Sequence, residues 1–158
     1  MPTILSVRRL GIDYGLRRLG LALSDRTGLL ARPWLTVAAA ESPQASATAM
    51  ARLLAEGDED VREVAEIVVG LPRRLNGQDT DMTPVVRTFA GELARLTGLT
   101  VHLQDERLTS HEAEARLAER ERDWRVRKQQ LDAEAAAIIL QDYLDSRRAA
   151  PGDEEAEA

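Results

Sequence analysis

Apolar and polar positions near the start of the chain alternate rather than recur at helical spacing. Residues 10–13 are apolar up to Asp13, open into Tyr14-Gly15-Leu16-Arg17-Arg18, and give way to renewed alternation over 19–24. Two short alternating runs around a tight polar turn predict a β-hairpin. A third strand is predicted over 29–37, with Pro33 placing it at a sheet edge because proline has no amide to donate. Ser42-Pro43 then reads as an N-cap with proline at the first helical position. The helix it starts runs through about Ala55 and ends before Gly57. The apolar run 65–71, bounded by Gly70 and Pro72, predicts a buried strand.

The same helix-then-strand order repeats downstream. Thr83-Pro84 is expected to cap a helix with Val85, Phe89, Leu93 and Leu96 on one face, and Gly98 to stop it. Residues 99–104 follow as a strand. Thr109 with Glu112 makes a capping box for a helix over 110–121. A charged loop containing Trp124 is expected to lead into a last helix over about 130–147, and the acidic tail after Pro151 is expected to be disordered. Three strands followed by helix, strand, helix, strand and two helices describe an α/β sheet of mixed direction. Strands joined through helices run parallel, since such crossovers return right-handed over the sheet. Ligands in sheets of this kind gather beyond the carboxyl ends of the strands.

Composition narrows the class. The 158 residues, 44% hydrophobic and 30% charged with no cysteine, are one domain's worth of material, expected over 1–148 with a tail over 149–158. Apolar runs such as 67–69 and 135–140 fall far short of the roughly 20 residues that span a bilayer, and residues 1–9 lack the apolar core of a secretory signal. A cytoplasmic protein without membrane contact is expected. The net charge of −6 argues at first against a polyanionic partner, but the four unopposed acids after Pro151 account for most of it, leaving −2. The remaining positive charge is almost all arginine, unevenly placed, so nucleic acid stays open as a partner.

Three groups of acids carry the candidate chemistry. Asp13 closes an apolar strand beside a glycine backbone; Asp105-Glu106 follow another strand directly; Asp132 shares a helical stripe with Ala136, Ile139 and Tyr143, which faces the core. Each has a bland alternative: a turn-forming aspartate, a structural acid pair, and an anion in the first turn of a helix. Together, strand-end and helix acids fit a carboxylate site for a hard divalent ion such as magnesium, which prefers oxygen ligands. Such a site suits phosphodiester hydrolysis. Zinc is poorly served, with no cysteine and with His102 and His111 outside any ligand spacing.

Other segments suit a phosphate substrate. Gly70-Leu71-Pro72-Arg73-Arg74-Leu75-Asn76-Gly77 joins open backbone to guanidinium groups, without the Gly-Lys-Ser/Thr ending of a P-loop. Arg17, Arg18, Arg107, Arg125, Arg127 and Lys128 are placed to hold a nucleic-acid backbone without reading bases. Trp34 is expected in the core.

Four blocks, in order and at matching spacing, resemble the bacterial YqgF (RuvX) family of RNase H-like nucleases. They are Leu10-Gly11-Ile12-Asp13-Tyr14-Gly15 with Arg18, Gly20, Ala22 and Ser24-Asp25; Ile67-Val68-Val69-Gly70-Leu71-Pro72 with Asn76-Gly77; Asp105-Glu106-Arg107-Leu108-Thr109-Ser110; and Asp132 with Ala135-Ala136, Ile139-Leu140 and Tyr143-Leu144. The resemblance implies an RNase H-like five-stranded mixed sheet flanked by helices, dependence on magnesium or manganese, and nuclease activity in the cytoplasm. It implies Asp13 as the first-strand metal ligand, Glu106 or Asp105 as the second acid, and Asp132 as the ligand from the final helix. Family members are described as nucleases that process the 5′ end of precursor 16S ribosomal RNA or as Holliday-junction resolvases. The first makes precursor rRNA the expected partner, the second branched DNA and a dimer; a monomer or a homodimer is therefore expected. Many RNase H-like enzymes place an acid at the end of the fourth strand. Here that position reads Gly70-Leu71-Pro72, so the Asp105-Glu106 pair has to reach in from the neighbouring strand. Two other readings stay open: an actin-like or sugar-kinase ATPase sharing the opening hairpin, and a non-catalytic RNA-binding module.

Overall fold

A computed structural model describes residues 7–106 and 124–149, the latter without the side chains of 124–129 and 149. The predicted capping-box helix over 110–121, His111, Arg107 and the acidic tail after Ala149 lie outside the described residues. Five strands form one sheet in the order β3-β2-β1-β4-β5: β1 (Arg8–Tyr14), β2 (Arg18–Ser24), β3 (Ala31–Ala38), β4 (Val64–Leu71) and β5 (Thr100–Asp105). The hairpin strands β1 and β2 pair antiparallel, as do β2 and β3, whereas β4 lies parallel to both β1 and β5. This is the mixed α/β sheet that the order of elements predicts. Pro33 sits on edge strand β3, where the pairing with β2 is interrupted by an irregularity.

The two faces of the sheet are built differently. Leu10, Ile12, Leu19, Leu21, Ile67 and Val69 point to one side and pack on helices α1 (Pro43–Glu56) and α3 (Thr83–Thr97) through Met50, Leu54, Phe89 and Leu93. Trp34 packs against this core, as expected. The opposite face presents small residues, Gly11, Gly20, Ala22 and Gly70 beside Val68, and is covered by the long final helix α4 (Trp124–Ala149). Side chains alternate across a strand, so Asp13 belongs to this second face.

Local signals behave as the residues dictate at most ends. Ser42 accepts the amide of Ala45 at 3.0 Å and Pro43 follows at the first turn. Gly98, at φ 72°, donates its amide to the Ala94 carbonyl and closes α3. Two expectations are corrected and one element is added. Met82, not Thr83, occupies the cap position of α3, because the buried Thr83 hydroxyl donates to the Pro72 carbonyl at 2.6 Å instead. The segment containing Trp124 is not a loop: α4 already begins there. A short helix α2 (Glu59–Arg62), capped by Asp58, was not anticipated, four residues being too few to show a period.

Candidate active site

Glycines set where the final helix lies. A side-chain carbon on Gly20 would stand 1.8 Å from the backbone oxygen of Asp132, and one on Gly11 would stand 2.9 Å from the Ala136 oxygen and 2.8 Å from Leu140 Cβ. The helix therefore rests directly on the backbone of β1 and β2. Gly20 is the register partner of Asp13. Asp13 and Asp132 thereby come to the same end of the same face. Since α4 begins at Trp124, Asp132 lies two turns inside it, and the first-turn explanation for its charge does not apply.

The second acid arrives from β5. The Glu106 amide donates to the Leu71 carbonyl at 3.2 Å, extending the β4–β5 pairing one step past the strand. The Glu106 side chain then lies over Gly70: a carbon added there would be 2.7 Å from Glu106 Oε2 and 2.5 Å from Ile139 Cδ1. The fourth strand thus lacks an acid of its own and leaves a hole that its neighbour's acid fills. Asp105 is exposed beside it.

Glu106 and Asp13 meet. Their side chains are in hydrogen-bond contact. Burial, then the charge of Asp132, pushes Asp13 up to about 7, although the bond from Glu106 opposes this. Burial, then the charge of Asp13, the shared bond and the charge of Asp105 raise Glu106 to about 9. Two carboxyls so close cannot both ionise cheaply without a cation.

Asp132 has a cationic partner of its own. Its Oδ2 accepts from Arg18 Nε at 2.7 Å. Arg17 and Arg18 line an open cleft of about 400 Å³ with Tyr14, Gly15, Leu16, Met82 and Asp132. Arg73 and Arg74 lie in a tight turn, where Arg73 donates to the Gly77 carbonyl at 3.1 Å and Arg74 approaches that of Asp79 at 3.4 Å. Arg125, Arg127 and Lys128 fall in the first turns of α4, their side chains outside the described atoms. His102 is engaged with Glu66 at 3.2 Å and takes no part in the acid pair. Sequence reasoning overlooked the Arg18–Asp132 pairing and the packing roles of Gly11, Gly20 and Gly70. Glycine inside a strand was the available signal, since it marks close backbone approach.

Among the described residues no three acids already stand in an arrangement that would clasp a cation. The donor set nonetheless fits a hard divalent ion. It is all oxygen, burial and neighbouring carboxylates raise the pKa of two of its carboxyls, a shift that a cation would reverse, and Gly70 leaves the room by which Glu106 reaches in.

Strand order, mixed direction and acids delivered by β1, the end of β5 and the last helix define an α/β protein of the RNase H-like class. The chain belongs to the RuvX family, described as "Holliday junction resolvase", whose pattern matches residues 7–146. Relatives named "Putative pre-16S rRNA nuclease" include one from Anaeromyxobacter sp. (strain Fw109-5), 44% identical over 90% of this chain and all of that one. Another, from Nocardioides sp. (strain ATCC BAA-499 / JS614), is 42% identical over 92% of this chain and 94% of that one. Among solved structures, T. thermophilus RuvC in complex with Holliday junction substrate superposes with a TM-score of 0.50 at 19% identity, covering 90% of this chain and 96% of that one. That likeness is one of fold. Among the described residues no helix is long and apolar enough to cross a membrane.

Proposed function

We propose that this chain is a magnesium- or manganese-dependent endonuclease that hydrolyses phosphodiester bonds during 5′-end processing of precursor 16S ribosomal RNA in the cytoplasm, with residues 1–148 as its single nuclease domain. The observation that carries the reading is the buried carboxyl pair Asp13–Glu106, with Glu106 seated over Gly70 and Asp132 beside Asp13. Such a pair is costly to keep unless its charge is put to use. The names of relatives that match nearly their whole length supply the substrate.

Asp13, Glu106 and Asp132 would hold the ion, with Asp105 at the rim adding negative potential. When bound, a divalent ion lowers the pKa of a coordinated water and offsets charge on the phosphate and leaving oxygen. The chain's own residues do the rest. Asp13 and Glu106 would hold the ion as carboxylates, their protons passing to solvent. Arg17 and Arg18, at the mouth of the cleft, pair with the strand's phosphates and orient it over the acids. Arg73 and Arg74 present charge from the neighbouring turn, and Arg107, Arg125, Arg127 and Lys128 extend the backbone contacts, all without base readout.

Incubation of the chain with labelled precursor 16S leader RNA and, separately, with a four-way DNA junction, in magnesium, tests the reading. Cleavage of the RNA is expected. Activity confined to the junction would instead establish a resolvase, the activity in the family's description. Asp13→Asn is expected to cost more than the roughly 100-fold typical of losing an outer-shell partner of a metal ligand, with folding retained by circular dichroism. Undiminished cleavage by that variant would assign the acids to structure alone.

A further inference from the structure

We infer that Arg18 is a positioning residue that holds Asp132 away from the cation until a substrate phosphate takes the carboxylate's place on its guanidinium. The inference rests on the proposed cation site and concerns how that site is assembled. Arg18 Nε lies 2.7 Å from Asp132 Oδ2, with the two side chains 49% and 25% exposed. The backbone at Asp132 has no room to move toward the sheet, because its oxygen already occupies the space above Gly20. What can change is the direction of the carboxylate, and its partner decides that direction.

Arg18 is the first residue of β2 and faces the open cleft that also holds Arg17 and Leu16. A strand entering this cleft offers phosphate oxygens to the same planar fork that now holds the carboxylate, and guanidinium binds both groups well. The exchange is inexpensive: a half-exposed ion pair is weak, and the new pair replaces the old. In the substrate-free chain the three acids of the site are thus engaged, Asp13 with Glu106 and Asp132 with Arg18. Phosphate binding releases Asp132 to join the other two. Cation and nucleic acid then favour each other's binding, by the same factor in both directions.

Mn²⁺ binding to the full chain, read from the electron paramagnetic resonance of the free ion, tests this without recourse to activity. Arg18→Gln is expected to tighten Mn²⁺ binding about three- to fivefold without RNA, the size an exposed ion pair allows. Arg17→Gln removes the same charge one residue away and is expected to have a distinctly smaller effect. In an Asp132→Asn background the Arg18 effect is expected to vanish. A short phosphorothioate-substituted single-stranded RNA, its own Mn²⁺ binding subtracted, is expected to tighten binding to the unmodified chain but not to Arg18→Gln. Equal effects of the two arginine variants, weaker binding by Arg18→Gln, or an RNA effect that survives its loss would each overturn the exchange. If Mn²⁺ binds and Asp132→Asn weakens it while Arg18→Gln is silent, the exchange fails and the cation site stands. If no variant binds Mn²⁺, both fail.

Discussion

Burial makes Asp13 and Glu106 hold their protons to higher pH in the folded chain than in the unfolded one. Their carboxyls rise from 3.8 to about 7 and from 4.5 to about 9 on folding. A raised acid contributes stability that is complete below its unfolded pKa and is lost as pH climbs through the folded value. The cation-free chain is therefore expected to be less stable, and to melt lower, at pH 9 than at pH 5. Magnesium is expected to restore the loss at high pH, and Asp13→Asn to flatten the profile; a flat profile for the unmodified chain, followed by calorimetry, would refute the raised carboxyls. Gly70→Ala tests the hole above β4. The added carbon meets only the ends of Ile139 and Glu106, so the stability cost is about 1 kcal/mol. Displacing Glu106 is expected to lower Mn²⁺ affinity about tenfold or more.

At the scale of elements, the contact between β2 and α4 places the third acid. Gly20→Ala would press a carbon against the backbone of Asp132, which cannot rotate away as a side chain can. A destabilisation of about 3 kcal/mol is expected in urea titrations, larger than that of Gly70→Ala. Sequence reasoning reached the strands, the Ser42 cap and the Gly98 stop because those signals are local. It erred at Thr83, whose hydroxyl is drawn to Pro72, and at Trp124, where a run of charges conceals a helix from any apolar period. The site divides in the same way. Asp13, Asp105, Glu106 and Asp132 stand out as acids at strand ends or on a core stripe. Which of Asp105 and Glu106 turns inward depends on the register just past β5, and Arg18 finds Asp132 across 114 positions. Neither relation leaves a trace in local pattern.

At the scale of the whole molecule, Asp13, Glu106 and Asp132 meet at one end of the sheet with Arg17 and Arg18 beside them, so a chain of net charge −6 still offers positive charge to a polyanion there. Replacing Arg17 and Arg18 together by alanine is expected to weaken RNA binding at low salt and to reduce the slope of log affinity against log salt by about one to two. Arg73→Ala is expected to do less, since that side chain already serves the turn at Gly77. An unchanged salt slope in the double variant would place the strand elsewhere. The most direct test of the central claim is a crystal of the full chain with a short phosphorothioate-substituted single-stranded RNA, soaked in manganese and measured at the metal's absorption edge. The account predicts an anomalous peak bounded by Asp13, Glu106 and Asp132; density with those carboxylates free of metal, or a peak held by other residues, would contradict it.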